Sequence, residues 1–252
     1  MDPGFRRDDE GVRVTGSQSR VILIATTDPS APRFPIAVLA SGRGSNLTAL
    51  IEAQRCSALP IDIVLVASDK AHAPALRIAE AAGIPTLALD PAGYATRAEF
   101  DTDLFARIAQ HSPQLIVLAG FMRILDADVL APWIGRMINI HPSLLPKYRG
   151  LRTHERALAA GDATHGASVH YVTSELDGGP VIAQAEIPVT PDDTPASLAA
   201  RLLPIEHRLL TTCVGWIAQR RVALVGNDVQ YDGRKLKAPL RVTDHGAPAA
   251  VP

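Results

Sequence analysis

Two polar residues, Asn139 and His141, form the first pair of side chains with the types and spacing for chemistry. They end an apolar run over residues 136–140 that predicts a strand, and alternation along a strand places both side chains on the same side. A carboxamide can donate to a developing oxyanion, and an imidazole can move a proton near neutral pH. The pair therefore predicts a reactive site, although a histidine hydrogen-bonded within a turn accounts for the same residues.

A second motif is the glycine-rich stretch SGRGSN over residues 41–46, between an apolar run and a helical pattern. Its glycines allow close backbone approach, and the free N–H groups of a helix N-terminus favour an anion. It lacks the Gly-Lys-Ser/Thr of a P-loop, and Leu47 replaces the third glycine of a dinucleotide fingerprint. The stretch indicates a site for a single phosphate. The alternative is a plain strand-to-helix turn capped by Ser45 or Asn46.

The third motif is ELDGGP over residues 175–180, between two segments that predict an antiparallel pair of strands. Asp-Gly-Gly is a strong turn signal, and a solvated turn aspartate is the ordinary outcome. A functional role requires Asp177 to reach His141, which the sequence does not decide.

Other chemistries have less support in the sequence. No His-Glu-x-x-His motif occurs, and His165 and His170 lack matching carboxylates or cysteines at ligand spacing, so no metal is expected. Ser143 lacks a nucleophile-elbow motif. Cys213 lies in an apolar helical stretch and is expected in the core.

The elements that must position these residues alternate between strand and helix, which predicts an α/β fold with a doubly wound, mostly parallel, Rossmann-like sheet. An antiparallel portion is expected toward the C-terminal half. Strands are predicted at 35–40, 61–68, 85–89, 114–120, 136–140, 167–175 and 180–189, and helices at 46–55, 71–83, 96–110 and 194–220.

The chain is expected to divide into three parts. Residues 1–33 are polar and aperiodic and predict a flexible, disordered leader with a short strand at 21–25. Residues 34–226 form the predicted catalytic domain, and residues 227–252 predict a hairpin followed by a partly disordered tail.

Composition limits the partners. The 25 Lys and Arg residues against 26 Asp and Glu give a net charge of −1, which excludes a broad cationic field for nucleic acid and gives no sign of a polybasic membrane anchor. Two cysteines fit a reducing compartment, and the apolar run near the N-terminus is too short for a signal peptide. We expect a cytoplasmic protein, a monomer or homodimer, that acts on small molecules.

Five blocks together resemble the phosphoribosylglycinamide formyltransferases, a folate-dependent enzyme family of purine synthesis: SGRGSNL, LAGFMRIL, NIHPSLLPKY, HGASVHYVTSELDGGPVI and the later IEH. The resemblance covers about residues 35–226. It implies transfer of the formyl group of 10-formyltetrahydrofolate, used as co-substrate, to the amine of glycinamide ribonucleotide, without a metal.

The resemblance also implies residue roles. Asn139, His141 and Asp177 match the catalytic trio. The implied ribonucleotide contacts are Gly44, Ser45, Asn46 and Glu206, and the implied folate contacts are Arg97, Met122, Arg123, Ile124, Leu125 and Asn139. His170, Thr173 and Ser168 fall in a block close to the cleft. The chain departs from the family pattern at Arg43, Arg149 and Arg152, which leaves the local phosphate contacts open.

Three related functions are weighed against this one. A methionyl-tRNA formyltransferase carries a C-terminal RNA-binding domain, for which the roughly 30 residues after Arg221 are too few. A formyltetrahydrofolate hydrolase carries a regulatory domain ahead of the catalytic one, for which the leader is too short and too polar. A non-catalytic binding module would not need an intact trio.

Overall fold

The computed structural model describes residues 33–243, so the predicted leader strand at 21–25 lies outside the described residues. Its central feature is an eight-stranded sheet in the order β11-β7-β6-β5-β4-β1-β2-β3. The strands are β1 (Phe34–Leu39), β2 (Ile61–Ser68), β3 (Thr86–Ala88), β4 (Leu115–Leu118), β5 (Met137–His141), β6 (Thr164–Tyr171), β7 (Val181–Pro188), β8 (Val222–Val225), β9 (Asp228–Tyr231), β10 (Arg234–Lys235) and β11 (Leu240–Arg241).

Strands β1 to β5 pair in parallel, whereas β5, β6 and β7 pair antiparallel. The doubly wound α/β fold with an antiparallel C-terminal portion is therefore confirmed. The helices are α1 (Ser45–Arg55), α2 (Pro74–Ala81), α3 (Arg97–Gln110), α4 (Ala127–Leu130), α5 (Thr153–Ala159) and α6 (Pro195–Ala218). The short helices α4 and α5 were not expected from the sequence.

Helices cover both faces of the sheet, because the strands are apolar on both sides. In β1, Ile36 and Val38 belong to the core that includes residues of α1, α2 and α6. Ala37 and Leu39 belong to the opposite core, which contains the α3 stripe of Phe100, Leu104, Phe105 and Ile108. That stripe is fully or almost fully buried, as helical spacing predicts.

The strand order reverses between β1 and β4, since β1 lies between β2 and β4 in the sheet. Connections leave these two strands toward opposite faces, so a crevice opens at their carboxyl ends, where open α/β sheets bind ligands. The chain beyond β1 is the glycine-rich turn, and the chain beyond β4 contains the FMRIL sequence over residues 121–125. The fold thus brings two of the predicted motifs together.

Strands β8, β9 and β10 form a separate antiparallel sheet, and β11 returns to pair with β7. The predicted domain division at residue 226 falls in the turn between β8 and β9 and stays a prediction. Within residues 33–243 no helix has the length and apolar character needed to cross a bilayer.

Candidate active site

Asp177 brings the predicted trio together. Its Oδ2 atom lies 3.4 Å from Nδ1 of His141. Its Oδ1 atom accepts a hydrogen bond from Nδ2 of Asn139 at 3.4 Å. Asn139 and His141 lie at the carboxyl end of β5, and Asp177 reaches them from the connection between β6 and β7. The distance that the sequence left open is thus short enough for both contacts.

The backbone conformation of Asp177 and a neighbouring backbone N–H hold its carboxyl in place. Its own φ is 48°, the left-handed region that aspartate tolerates better than most residues. The Gly150 N–H donates to Oδ2 at 2.8 Å. Burial alone would raise the pKa of this carboxyl, but contacts with His170, the Gly150 N–H and His141 outweigh burial and hold the pKa below its usual value. Asp177 is therefore a buried carboxylate at neutral pH.

His141 is buried, with both ring nitrogens engaged. Nε2 lies 2.9 Å from the Tyr148 carbonyl oxygen, and because a carbonyl can only accept, Nε2 carries a proton. Nδ1 faces Asp177, so a second proton there would complete an ion pair. Burial lowers the pKa of His141, while the Tyr148 carbonyl and Asp177 oppose that shift. The imidazole can therefore gain and lose a proton against a fixed carboxylate.

His170 completes the cluster. It lies opposite Asn139 in the antiparallel register of β5 and β6. Its Nδ1 donates to the Tyr171 carbonyl at 2.9 Å, and its Nε2 lies 3.2 Å from Nδ2 of Asn139. Nε2 is also 3.5 Å from Oδ1 of Asp177. The sequence predicted that His170 lies near the cleft but did not predict these contacts, because they depend on the pairing of β5 with β6.

The loop between β5 and α5 supplies the backbone groups that hold His141 and Asp177. Tyr148 and Lys147 anchor it through Asp162, which accepts from the Tyr148 hydroxyl at 2.8 Å and from Lys147 Nζ at 2.9 Å. Arg149 forms an ion pair with Glu175 across the connection that carries Asp177. The loop is thus joined to both sides of the cluster.

One cavity opens beside the trio, and Asn139, His170 and Asp177 line it. Its remaining walls come from the chain beyond β4 and the connection after β6: Leu118, Phe121, Arg123, Ile124, Leu125, Leu130, Val172, Thr173, Ser174, Glu175 and Leu176. Three of the predicted folate residues, Arg123, Ile124 and Leu125, are in this wall. Arg97 is not; it begins α3, with its guanidinium 4.0 Å from the Asp126 carboxylate.

A second cavity, of about 600 Å³, lies over the glycine-rich turn. Residues 42–46 form one side, and Ala119, Gly120 and Met122 form another. Met122 thus faces this cavity rather than the first. The left-handed φ of 81° at Gly44 and the 2.9 Å that would separate a Cβ there from Cα of Ala75 both require glycine.

Glu206 on α6 faces the same cavity beside Asn46. Burial raises the pKa of this carboxyl to about 7, and a hydrogen bond with Asn46 opposes the shift. Glu206 is therefore close to half-protonated at neutral pH. Such a carboxyl can donate to a ligand oxygen and tolerates a nearby phosphate better than a carboxylate does.

Comparison with known proteins agrees with this geometry. Residues 34–214 match the family model described as formyl transferase. The phosphoribosylglycinamide formyltransferase of Escherichia coli is 44% identical over 201 residues, 80% of this chain and 95% of that protein. The trifunctional purine biosynthetic protein adenosine-3 of Drosophila melanogaster is 44% identical over 200 residues, 79% of this chain and 14% of that longer protein.

A solved structure gives the same result. Phosphoribosylglycinamide formyltransferase from Coxiella burnetii, in complex with CHES, is 48% identical with a TM-score of 0.78, over 81% of this chain and 96% of that one. The chain belongs to the phosphoribosylglycinamide formyltransferase family. Membership confirms the resemblance and the expected enzyme class, a formyltransferase of purine biosynthesis. Enzymes of this family use 10-formyltetrahydrofolate as co-substrate.

Family membership leaves the residue roles to be argued from this chain. Within residues 33–243 no group of three or more His, Cys, Asp or Glu side chains could hold a metal ion. The described site offers hydrogen bonds, a buried carboxylate and imidazole groups. Three contacts escaped the sequence: His170 with Asn139, the Tyr148 carbonyl with His141, and the Gly150 N–H with Asp177.

Proposed function

We propose that this protein transfers the formyl group of 10-formyltetrahydrofolate to the amine of glycinamide ribonucleotide, giving the N-formyl ribonucleotide and tetrahydrofolate for purine synthesis. The observation that carries the proposal is the Asn139–Asp177–His141 contact, which lies beside one cavity and close to a second cavity over the glycine-rich turn. The sequence blocks, the family and the cavities all support the same two substrates.

The ribonucleotide phosphate binds at the glycine-rich turn in this proposal. Gly44, Ser45 and Asn46 open α1, whose first N–H groups lack helical partners and attract an anion. Glu206 lies across the cavity and, when protonated, donates to a ribose hydroxyl or phosphate oxygen. Binding here fixes the amine near the first cavity, where Arg123, Ile124 and Leu125 contact the folate, with Met122 between the two sites and Arg97 reaching the folate from α3.

Positioning supplies a large part of the catalysis. Two bound substrates react directly, without a covalent enzyme intermediate, so holding the amine against the formyl carbon converts a bimolecular step into a unimolecular one. The amine nitrogen forms the new C–N bond, and the carbonyl π electrons move to oxygen. Collapse of that tetrahedral species re-forms the carbonyl and breaks the bond from carbon to the folate nitrogen N10.

The trio stabilises the charge and the proton in this reaction. An N–H of Asn139 donates to the oxyanion, in place of its long contact with Asp177. Protonated His141 is stabilised by Asp177 and donates to the same region once Nε2 leaves the Tyr148 carbonyl. The proton lost by the amine ends on N10 of the folate, through His141 or through a water held by Asp177.

The proposal is tested by measuring whether deformylation of 10-formyltetrahydrofolate requires the complete acceptor, glycinamide ribonucleotide. We would incubate the protein with 10-formyltetrahydrofolate alone, with glycinamide ribonucleotide, or with glycinamide, which lacks the phosphoribosyl group. We expect deformylation at a substantial rate only with the ribonucleotide. Equal rates in all three mixtures would identify a hydrolase, and no reaction in any of them would exclude formyl transfer to this amine.

The cellular setting is part of the proposal. We propose a cytoplasmic enzyme that acts as a monomer or homodimer without nucleic acid or membrane partners, with residues 34–226 as its catalytic domain between a leader and a C-terminal tail. Sedimentation of the purified chain would distinguish the two oligomeric states. Activity of a truncated chain limited to residues 34–226 would test the proposed division.

A further inference from the structure

The hydroxyl of Ser41 joins the glycine-rich turn to the loop after β4. The residue begins the glycine-rich turn and is 4% exposed. Its backbone N–H donates to the Gly120 carbonyl at 3.1 Å, and its Oγ accepts from the Met122 N–H at 3.0 Å. These bonds continue the contact between β1 and β4 beyond the last paired strand residues, Leu39 and Leu118.

Asp69 fixes the direction of that hydroxyl. It lies just after β2, and its Oδ1 accepts from Oγ of Ser41 at 2.5 Å. A carboxylate can only accept, so the single hydroxyl proton of Ser41 points to Asp69 and a lone pair remains for the Met122 N–H. Donation to a charged acceptor strengthens the hydroxyl as an acceptor in turn. Loops after β1, β2 and β4 therefore meet at one oxygen atom.

The two joined loops serve different substrates in the proposed function. Residues 42–46 line the ribonucleotide cavity, whereas the chain after Met122 continues into the folate wall at Arg123, Ile124 and Leu125. Met122 itself lines the ribonucleotide cavity. A ligand that orders either loop thus acts on a backbone segment tied to the other.

We propose that Ser41, oriented by Asp69, is a positioning residue that couples ribonucleotide binding to folate binding. The inference rests on the proposed function, because it needs both substrates to bind at these loops. The coupling is reciprocal: each ligand tightens the other by the same factor. Loss of the hydroxyl removes the acceptor of the Met122 N–H, so the loop after β4 loses its tie to the turn.

The coupling factor is measured with a pair of ligands that cannot react. We would titrate glycinamide ribonucleotide into the full-length protein by calorimetry, with and without saturating tetrahydrofolate, which carries no formyl group. For the wild type we expect tetrahydrofolate to tighten the ribonucleotide by about 5-fold or more, at the low end of ordinary couplings. For Ser41→Ala we expect a factor near one, with each KM raised by about 5–30-fold.

Three variants separate this role from simple loss of structure. The Thr48 hydroxyl donates to the Gly44 carbonyl in the same turn, but it makes no hydrogen bond to the loop after β4. Thr48→Val removes this hydroxyl and should therefore keep the wild-type coupling. Asp69→Asn should keep a reduced coupling, because the amide oxygen still accepts from Ser41 but carries no charge to strengthen the bond. Ser41→Cys fills the same space with a weak hydrogen-bonding group and should lose the coupling, which covers the case that Ser41→Ala does not fold.

The outcomes are distinguishable. A wild-type protein that neither binds the ribonucleotide nor turns it over would overturn the proposed function together with this inference. A wild-type enzyme that transfers formyl groups without coupling, or a Ser41→Cys variant with an unchanged coupling factor, would overturn the inference alone. Equal loss of coupling in Thr48→Val would also overturn it, since the turn as a whole would then be responsible.

Discussion

Replacing Asp177 by asparagine tests the electrostatic part of the mechanism. The variant keeps the size of the side chain, and asparagine tolerates the left-handed φ of 48° at this position. It can still accept from the Gly150 N–H, but it removes the negative charge that lies 3.4 Å from Nδ1 of His141. The change therefore removes the partner of the imidazolium with little change to the backbone.

The expected size of the effect follows from that distance. Two unit charges 3.4 Å apart attract by about 5 kcal/mol at an effective dielectric constant of about 20. Residual hydrogen bonds and water offset part of this energy, so we expect kcat to fall by about 10²–10³-fold, since each 1.4 kcal/mol is about tenfold in rate. The ribonucleotide affinity should stay within about threefold, because the glycine-rich turn that binds the phosphate is untouched.

Steady-state kcat and calorimetric ribonucleotide affinity would be measured on the same preparations. Asp232→Asn is the matched control, because Asp232 has the same φ of 48° and forms an ion pair with Arg221 outside the site. The control should keep wild-type kcat. An Asp177→Asn enzyme with kcat within threefold of the wild type would refute the charge argument, and a large loss of ribonucleotide affinity would assign Asp177 to binding instead.

Three other predictions concern the remaining parts of the site. Asn139→Ala and His141→Ala should each lower kcat by about 10²–10³-fold or more in steady-state assays, and near-wild-type turnover in either would remove that residue from its role. Gly44→Ala places a Cβ 2.9 Å from Cα of Ala75 and should raise the ribonucleotide KM at least about tenfold while changing the folate KM much less; equal effects would contradict a phosphate role. Because the pKa of Glu206 is about 7 in the folded protein against 4.5 when exposed, the native state holds the extra proton and stability falls as pH rises from about 4.5 through 7. Glu206→Gln should flatten that fall in urea unfolding measured at several pH values, and an unchanged pH dependence would place its source elsewhere.

Hydrophobic pattern was sufficient to predict most of the sheet and the long helices. Each strand from β1 to β7 overlaps a predicted strand, and all of them except the edge strand β3 are mostly buried and therefore apolar. Helix α3 could be predicted because its apolar stripe repeats at helical spacing and Thr96 caps its N-terminus. Helix α5 could not. It has seven residues and follows Arg152 in a left-handed conformation without a side-chain cap, so its tertiary contacts decide its position.

The residues of the trio could be predicted from the sequence, but their positions relative to one another could be predicted only in part. Asn139 and His141 follow from one strand, and alternation gives their common side. Their contact with Asp177 depends on the antiparallel pairing of β5 with β6, which no local pattern fixes. The bonds from Gly150 to Asp177 and from His141 to Tyr148 use backbone groups, which have no signature in residue type. The Ser41 bridge joins residues 81 positions apart and was equally hidden.

The fate of the formyl carbon distinguishes formyl transfer from hydrolysis. The enzyme would be mixed with 10-[¹³C]formyltetrahydrofolate and an equimolar amount of glycinamide ribonucleotide, and the label followed by ¹³C NMR through a single turnover. We predict that the label moves from the folate to a formamide on the ribonucleotide, and that it stays on the folate when the ribonucleotide is left out. Release of the label as formate, at the same rate with and without the ribonucleotide, would show hydrolysis and contradict formyl transfer to the ribonucleotide.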